Sequence, residues 1–112
     1  MIMPAASTAL LFDHRTGTVK PVSYDGELES LRKLLDVDLV DIIRVDRSHI
    51  MFVDDEGLLV RHKMGFAVTY RGNTIQFAGS GLLTGDRNGE NAPISLNFAD
   101  LKIEGLQFSY ED

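Results

Sequence analysis

The chain has 112 residues, enough for about one domain, and 44% of them are hydrophobic, which argues against disorder for most of its length. It has no cysteine, which excludes a disulfide framework, a thiolate zinc site and a cysteine nucleophile. Eleven Lys and Arg against seventeen Asp and Glu give a net charge of −6, which disfavours extended contact with a nucleic-acid backbone.

Residues 1–6 read as a loose leader. The first twelve residues lack a basic n-region, and their apolar run is broken by Pro4, Ser7 and Thr8, so they make a poor signal peptide. No stretch approaches the ~18 apolar residues of a membrane span. A cytoplasmic protein is therefore expected, by elimination. Thr8 to Asp13 and Thr18 to Ser23 are short strand-like runs joined by a turn ending at Gly17, the pattern of a hairpin. Pro21 confines the second run to an edge, since proline cannot donate to a ladder.

Asp25 is placed to cap a helix over Gly26 to Leu35, with Glu27 and Glu29 in its first turn. Leu28, Leu31, Leu34 and Leu35 form one apolar stripe, and Glu29 and Lys33 stand at i and i+4 on the other face. From Leu39 the period changes. Val40 to Val45 and His49 to Asp54 are β-rich runs separated by Arg47-Ser48, and a third run begins at Leu58-Leu59-Val60 after the turn Asp55-Glu56-Gly57. Phe66 to Tyr70 is another strand, with Arg71-Gly72-Asn73 as its turn. Thr74 to Thr84 reads as one strand carrying glycines at a bulge or close approach. Asp86 to Asn91 reads as an exposed loop, Ile94 to Phe98 as a strand, Ala99-Asp100-Leu101 as one helical turn, and Ile103 to Tyr110 as a half-buried strand. The fold class expected is α+β: an antiparallel meander of about five to seven strands with one face against a short helix. Its other face would be covered by the N-terminal hairpin, the C-terminal segment or a second subunit. A homodimer is compatible with short edge strands.

Two charged clusters are the candidate binding residues. Asp54, Asp55 and Glu56 form an acidic triplet, which is good turn chemistry and also offers carboxylate oxygens to a divalent cation. Arg61, His62 and Lys63, with Arg71 one hairpin away, form the local positive patch and suit a phosphate or an acidic partner. His14 and His49 lie in or beside turns without ligand spacing to His62, so no metal site is assigned. Gly79-Ser80-Gly81 lacks the spacing of a nucleophile elbow, of a dinucleotide fingerprint and of a phosphate loop. No histidine–carboxylate–serine set is visible in the sequence, and no catalytic residue or cofactor is assigned.

The middle of the chain resembles a family of small uncharacterised proteins of phages and other mobile elements, classed as a domain of unknown function. The resemblance lies in the helix Leu28 to Leu35, the strand Val40 to Val45, the turn Val53-Asp54-Asp55-Glu56-Gly57 and the glycine-bearing stretch Phe77-Ala78-Gly79. It covers roughly residues 25 to 85. Where that family usually has an asparagine near the acidic turn, this chain has Lys63-Met64-Gly65. The resemblance implies an accessory protein of a mobile element. With the lack of a catalytic set, the expectation is a non-enzymatic accessory or inhibitor protein that binds a host protein or a small anionic ligand. The alternatives are a metal-dependent enzyme acting on a phosphate ester through Asp54, Glu56 and His62, and a structural subunit of a larger particle.

Overall fold

The computed structural model describes residues 7–55 and 64–107. The leader, the strand expected at Leu58 to Val60, and the residues beyond Gln107 lie outside them. The described chain runs β1 (Ser7–Asp13), β2 (Thr18–Tyr24), α1 (Leu28–Leu35), β3 (Val40–Asp46), β4 (His49–Asp54), β5 (Met64–Tyr70), β6 (Asn73–Ala78), β7 (Gly81–Arg87), β8 (Glu90–Ala92), a 3-10 turn at Phe98–Asp100, and β9 (Leu101–Gln107). It is α+β and mostly antiparallel strand. Among the described residues the strands number nine, more than the seven allowed by the sequence reading, and they divide into two sheets.

The larger sheet has the order β2-β1-β7-β4-β3, with β8 also paired to β7, and the smaller has the order β6-β5-β9. In the larger sheet β4 occupies one edge of β7 over residues 81–85. On the other edge β1 pairs with residues 81–83 and β8 takes over from Gly85 to Arg87. The expected N-terminal hairpin forms, closed by the Gly17 N–H donating to the Asp13 carbonyl at 2.9 Å. Pro21, opposite Leu10, sits on the edge strand β2, where a missing donor costs the ladder nothing.

Side-chain alternation along β1 explains the layers. Leu10 and Phe12 point to the smaller sheet and meet Phe66, Val68 and Phe77, with Met51, Val53 and Leu83 beside them. Ala9 and Leu11 point the opposite way and meet Leu31 and Leu35 of α1, with Leu82 and Tyr24. A strand buried on both faces reads as a continuous apolar run rather than an alternating one, which is why Ala9 to Phe12 has no polar interruption. Phe12 is the hinge pin of the inter-sheet core: its ring meets Phe66 at 5.5 Å and Phe77 at 6.0 Å, both edge-on.

The helix starts two residues later than expected. Asp25 lies before it, and its carboxylate accepts the Glu27 N–H at 2.9 Å and the Ser30 hydroxyl at 2.7 Å. These bonds hold the Asp25 carboxyl below its ordinary value, the Glu27 N–H first and Ser30 second. Leu31 and Leu35 are buried, whereas Leu28 is exposed. Glu29 pairs with Arg32 at 3.3 Å rather than with Lys33.

Three further expectations are corrected. Thr74 to Thr84 is not one strand: it breaks at Gly79-Ser80, with Gly79 at φ +83°, and the chain crosses there from the smaller sheet to the larger. Asp86 to Asn91 is not a loop but the end of a hairpin. Asn88 and Gly89 have φ +54° and +86°, the two left-handed positions of a tight turn between β7 and β8. Ile94 to Asn97 forms no strand. It is an irregular segment whose Ile94 N–H donates to the Thr8 carbonyl at 3.2 Å, and the helical turn follows from Phe98.

Candidate functional site

Strands β4 and β5 set the two ends of the sandwich. β4 runs from His49 to Asp54, and over that length a strand advances about 17 Å. β5 returns in the other sheet from Met64 to Tyr70. Asp54 and Asp55 therefore lie at one end and Arg71, just after β5, at the other. The Asp55 N–H donates to the Leu39 carbonyl at 3.1 Å, fixing the start of the acidic turn against β3. Glu56, Arg61, His62 and Lys63 lie outside the described residues. Of the expected binding residues that are described, the fold thus separates the two aspartates from Arg71. No group of three or more His, Asp or Glu that could hold a metal ion is found among the described residues.

Arg71 faces a concavity. A cavity of about 610 Å³ opens at its end of the sandwich, lined by Asp46, Arg47, Ser48, His49, Tyr70, Arg71, Ser95, Leu96, Asn97 and Asp100. Three segments build it. The β3–β4 turn supplies Asp46 to His49, the β5–β6 turn supplies Tyr70 and Arg71, and the irregular stretch and 3-10 turn before β9 supply the rest. Arg71 and Gly72 occupy the two left-handed positions of a two-residue hairpin turn, at φ +49° and +84°. Arginine in the left-handed region carries a steric cost that asparagine or glycine largely avoids. Its guanidinium lies 5.1 Å from the centroid of the Tyr70 ring. Neither Arg47 nor Arg71 is in an ion pair among the described residues.

The floor of the cavity holds a set that the sequence spacing did not show: Asp46, His49 and Ser95. His49 is only 2% exposed. Its Nδ1 lies 2.9 Å from Asp46 Oδ1, and its Nε2 lies 3.0 Å from the Ser95 backbone nitrogen and 3.3 Å from Ser95 Oγ. The Ser95 N–H can only donate, so Nε2 is the unprotonated nitrogen and Nδ1 carries the proton given to Asp46. The Asp46 carboxyl lies below its ordinary value. Burial pushes it up, but the Ser48 N–H and the His49 ring together outweigh that. The connectivity is that of a hydrolase triad, but the lone pair that would take a serine proton is already held by a backbone N–H. The arrangement ties Ser95, and with it the wall of the cavity, to β4. The contact between His49 and Ser95 spans 46 positions, so no local motif could have revealed it.

A second histidine–serine contact lies at the other end of the sandwich. Ser80, buried between its two glycines, accepts the His14 N–H at 3.1 Å and lies 2.7 Å from His14 Nδ1. It pins the β1–β2 turn to the crossover between sheets, which accounts for a polar side chain buried there.

No helix among the described residues is long and apolar enough to cross a membrane. No curated protein and no solved structure matches the chain. A family model described as a domain of unknown function, DUF3846, matches residues 7–107, a span that runs from the start of β1 to the end of β9. The chain belongs to the DUF3846 family.

Proposed function

We propose that this protein is a non-enzymatic binding module, an accessory protein of a mobile element, that takes a small anionic ligand in the cavity between Arg47 and Arg71. One observation carries the reading: two arginines whose guanidinium groups have no carboxylate partner among the described residues line a single concave site. Arg offers a fork of donors suited to carboxylate or phosphate. The volume is in the range of small-ligand sites. Ser48, Ser95 and Asn97 add hydrogen-bonding groups around the same space. Asp46 and Asp100 also line it and would repel an anion placed beside them, so the anionic group is directed toward the arginines and the neutral part of the ligand toward the two carboxylates.

A binding role rather than catalysis is supported by His49, whose one lone pair is committed to Ser95. The accessory role in a mobile element rests on the sequence resemblance. The test is titration of the full chain with sodium sulfate, followed by amide chemical shifts. Shifts should concentrate at residues 46–49, 70–71 and 95–100, and Arg47→Ala and Arg71→Ala should each weaken binding about five-fold or more, the loss of a charge-assisted contact. Shifts spread evenly over the surface, or unchanged binding in both variants, would overturn the reading.

A further inference from the structure

Turns from the two sheets build part of the cavity, and the irregular segment 93–97, with the 3-10 turn after it, forms the remaining wall. Among the described residues, backbone donors of this segment reach the sheet twice: the Ile94 N–H to the Thr8 carbonyl and the Ser95 N–H to His49 Nε2. The second bond is unusual, because its acceptor is a ring nitrogen that can itself take a proton. A neutral imidazole has a single lone pair, and here it points at Ser95 N–H. Protonated, the ring is a donor at both nitrogens. Two hydrogens cannot share the 3.0 Å between Nε2 and the Ser95 nitrogen. Only Ser95 Oγ, at 3.3 Å, remains as an acceptor there.

We infer that His49 is the positioning residue that holds this wall in place, that the wall requires the neutral ring, and that anion occupancy of the cavity is thereby coupled to protonation of His49. The inference rests on the anion-binding reading of the cavity and adds its regulation. The charged and titratable groups around the ring come from each element that packs on it. Asp46, from β3, accepts the Nδ1 proton. Arg47 follows in the same turn, Tyr70 and Arg71 come from the β5–β6 turn, and Asp100 from the 3-10 turn. Asp86, from β7, is engaged on the opposite face by Arg44 at 2.8 Å. Asp46 thus holds the ring in place whether or not it is protonated, and the Ser95 N–H is the contact that protonation breaks.

Two effects oppose each other as pH falls, and their signs differ. Added positive charge in the floor draws an anion more strongly, whereas release of Ser95 opens the wall and removes donors from the site. The wall term is the larger in this proposal, so anion affinity falls as the titration is taken from about pH 8 to about pH 5. Sulfate is the probe, because its own charge is constant over that span. With ionic strength held fixed, the dissociation constant of sulfate for the full chain should rise about five-fold between the two ends, the effect of losing one hydrogen bond. Hydrogen exchange at the Ser95 amide, corrected for its intrinsic pH dependence, should accelerate over the same span.

His49→Gln supplies the control. Its side-chain oxygen can accept from Ser95 N–H and its amide can donate to Asp46, but it does not titrate. That variant should show a flat profile across the titration, whatever its affinity at the upper pH. Sulfate affinity that rises or stays level as pH falls in the wild type would overturn the proposal, as would the same slope in His49→Gln. If sulfate binds at neither pH, the anion reading has failed by itself. The Ser95 amide of the wild type then still decides the clamp, which is rejected if its protection does not change with pH.

Discussion

Arg71 joins two conflicting demands in one residue. Its φ of +49° belongs to the first position of a tight hairpin turn, where asparagine fits and a long side chain does not. A sequence selected only for folding has no reason to keep arginine there, and strain of this kind is concentrated where a side chain has a task. Arg71→Asn should therefore raise stability by up to about 1 kcal/mol while weakening sulfate binding several-fold. Thermal unfolding and the sulfate titration check the two signs independently. Asp46 makes a second prediction. Its carboxyl lies below the ordinary range in the folded chain, so it binds its proton less readily there than when unfolded. The stability it contributes is present above the unfolded pKa of about 4 and is lost as pH falls through the lower folded value. Asp46→Asn should flatten that acid limb and lower stability near neutrality, where the amide replaces a charged acceptor. Urea unfolding at several pH values between neutrality and strong acid measures it.

At the scale of elements, the hairpin β7–β8 and the wall after it depend on one close approach. A Cβ on Gly85 would lie 2.4 Å from the Pro93 carbonyl oxygen and 2.6 Å from that of Ala92. Both are backbone atoms and cannot rotate away, so Gly85→Ala must displace the strand end. A loss of about 1–3 kcal/mol is expected, the range for overpacking, with weaker sulfate binding because Pro93 leads directly into the cavity wall. Denaturant midpoints and the same titration would detect both. The edge strand β3 shows a different device. Asp41 accepts the Ile42 N–H at 2.8 Å, and a register shift falls between Arg44 and Asp46. A carboxylate closing a backbone donor and a bulge both blunt an edge against pairing with another chain. Ile42 can then stay 54% exposed on that strand without offering a regular ladder beside it.

Over the whole molecule, stability is concentrated in two apolar layers on either side of the larger sheet. The layer between the sheets is centred on Phe12, which is fully buried against Phe66 and Phe77. Phe12→Ala would leave a void where three strands from two sheets meet, and a loss of about 3–5 kcal/mol is expected in urea unfolding. The cavity opens at one end of this same layer. Tyr70 and His49 both point into the inter-sheet space, one from each sheet, so the site lies where the sandwich core gives way to its turns.

Local patterns were enough to read much of the secondary structure. The leucine spacing of α1, the proline on an edge strand, and the turns at Arg47-Ser48 and Arg71-Gly72 follow from backbone geometry and side-chain period, which act over a few residues. Arg71 was legible as a cation in a turn, but that the turn would line a cavity was not. The sequence did not reveal the second sheet, the crossover at Gly79-Ser80, or the meeting of Asp46 and His49 with Ser95. Alternation says that a side chain has an inner face, but not which of two sheets it will face. The pairing of β1 with β7, some seventy positions apart, is decided only when both can bury Phe12, Leu82 and Leu83 together. The cavity exists because those distant pairings bring three separate turns to one end.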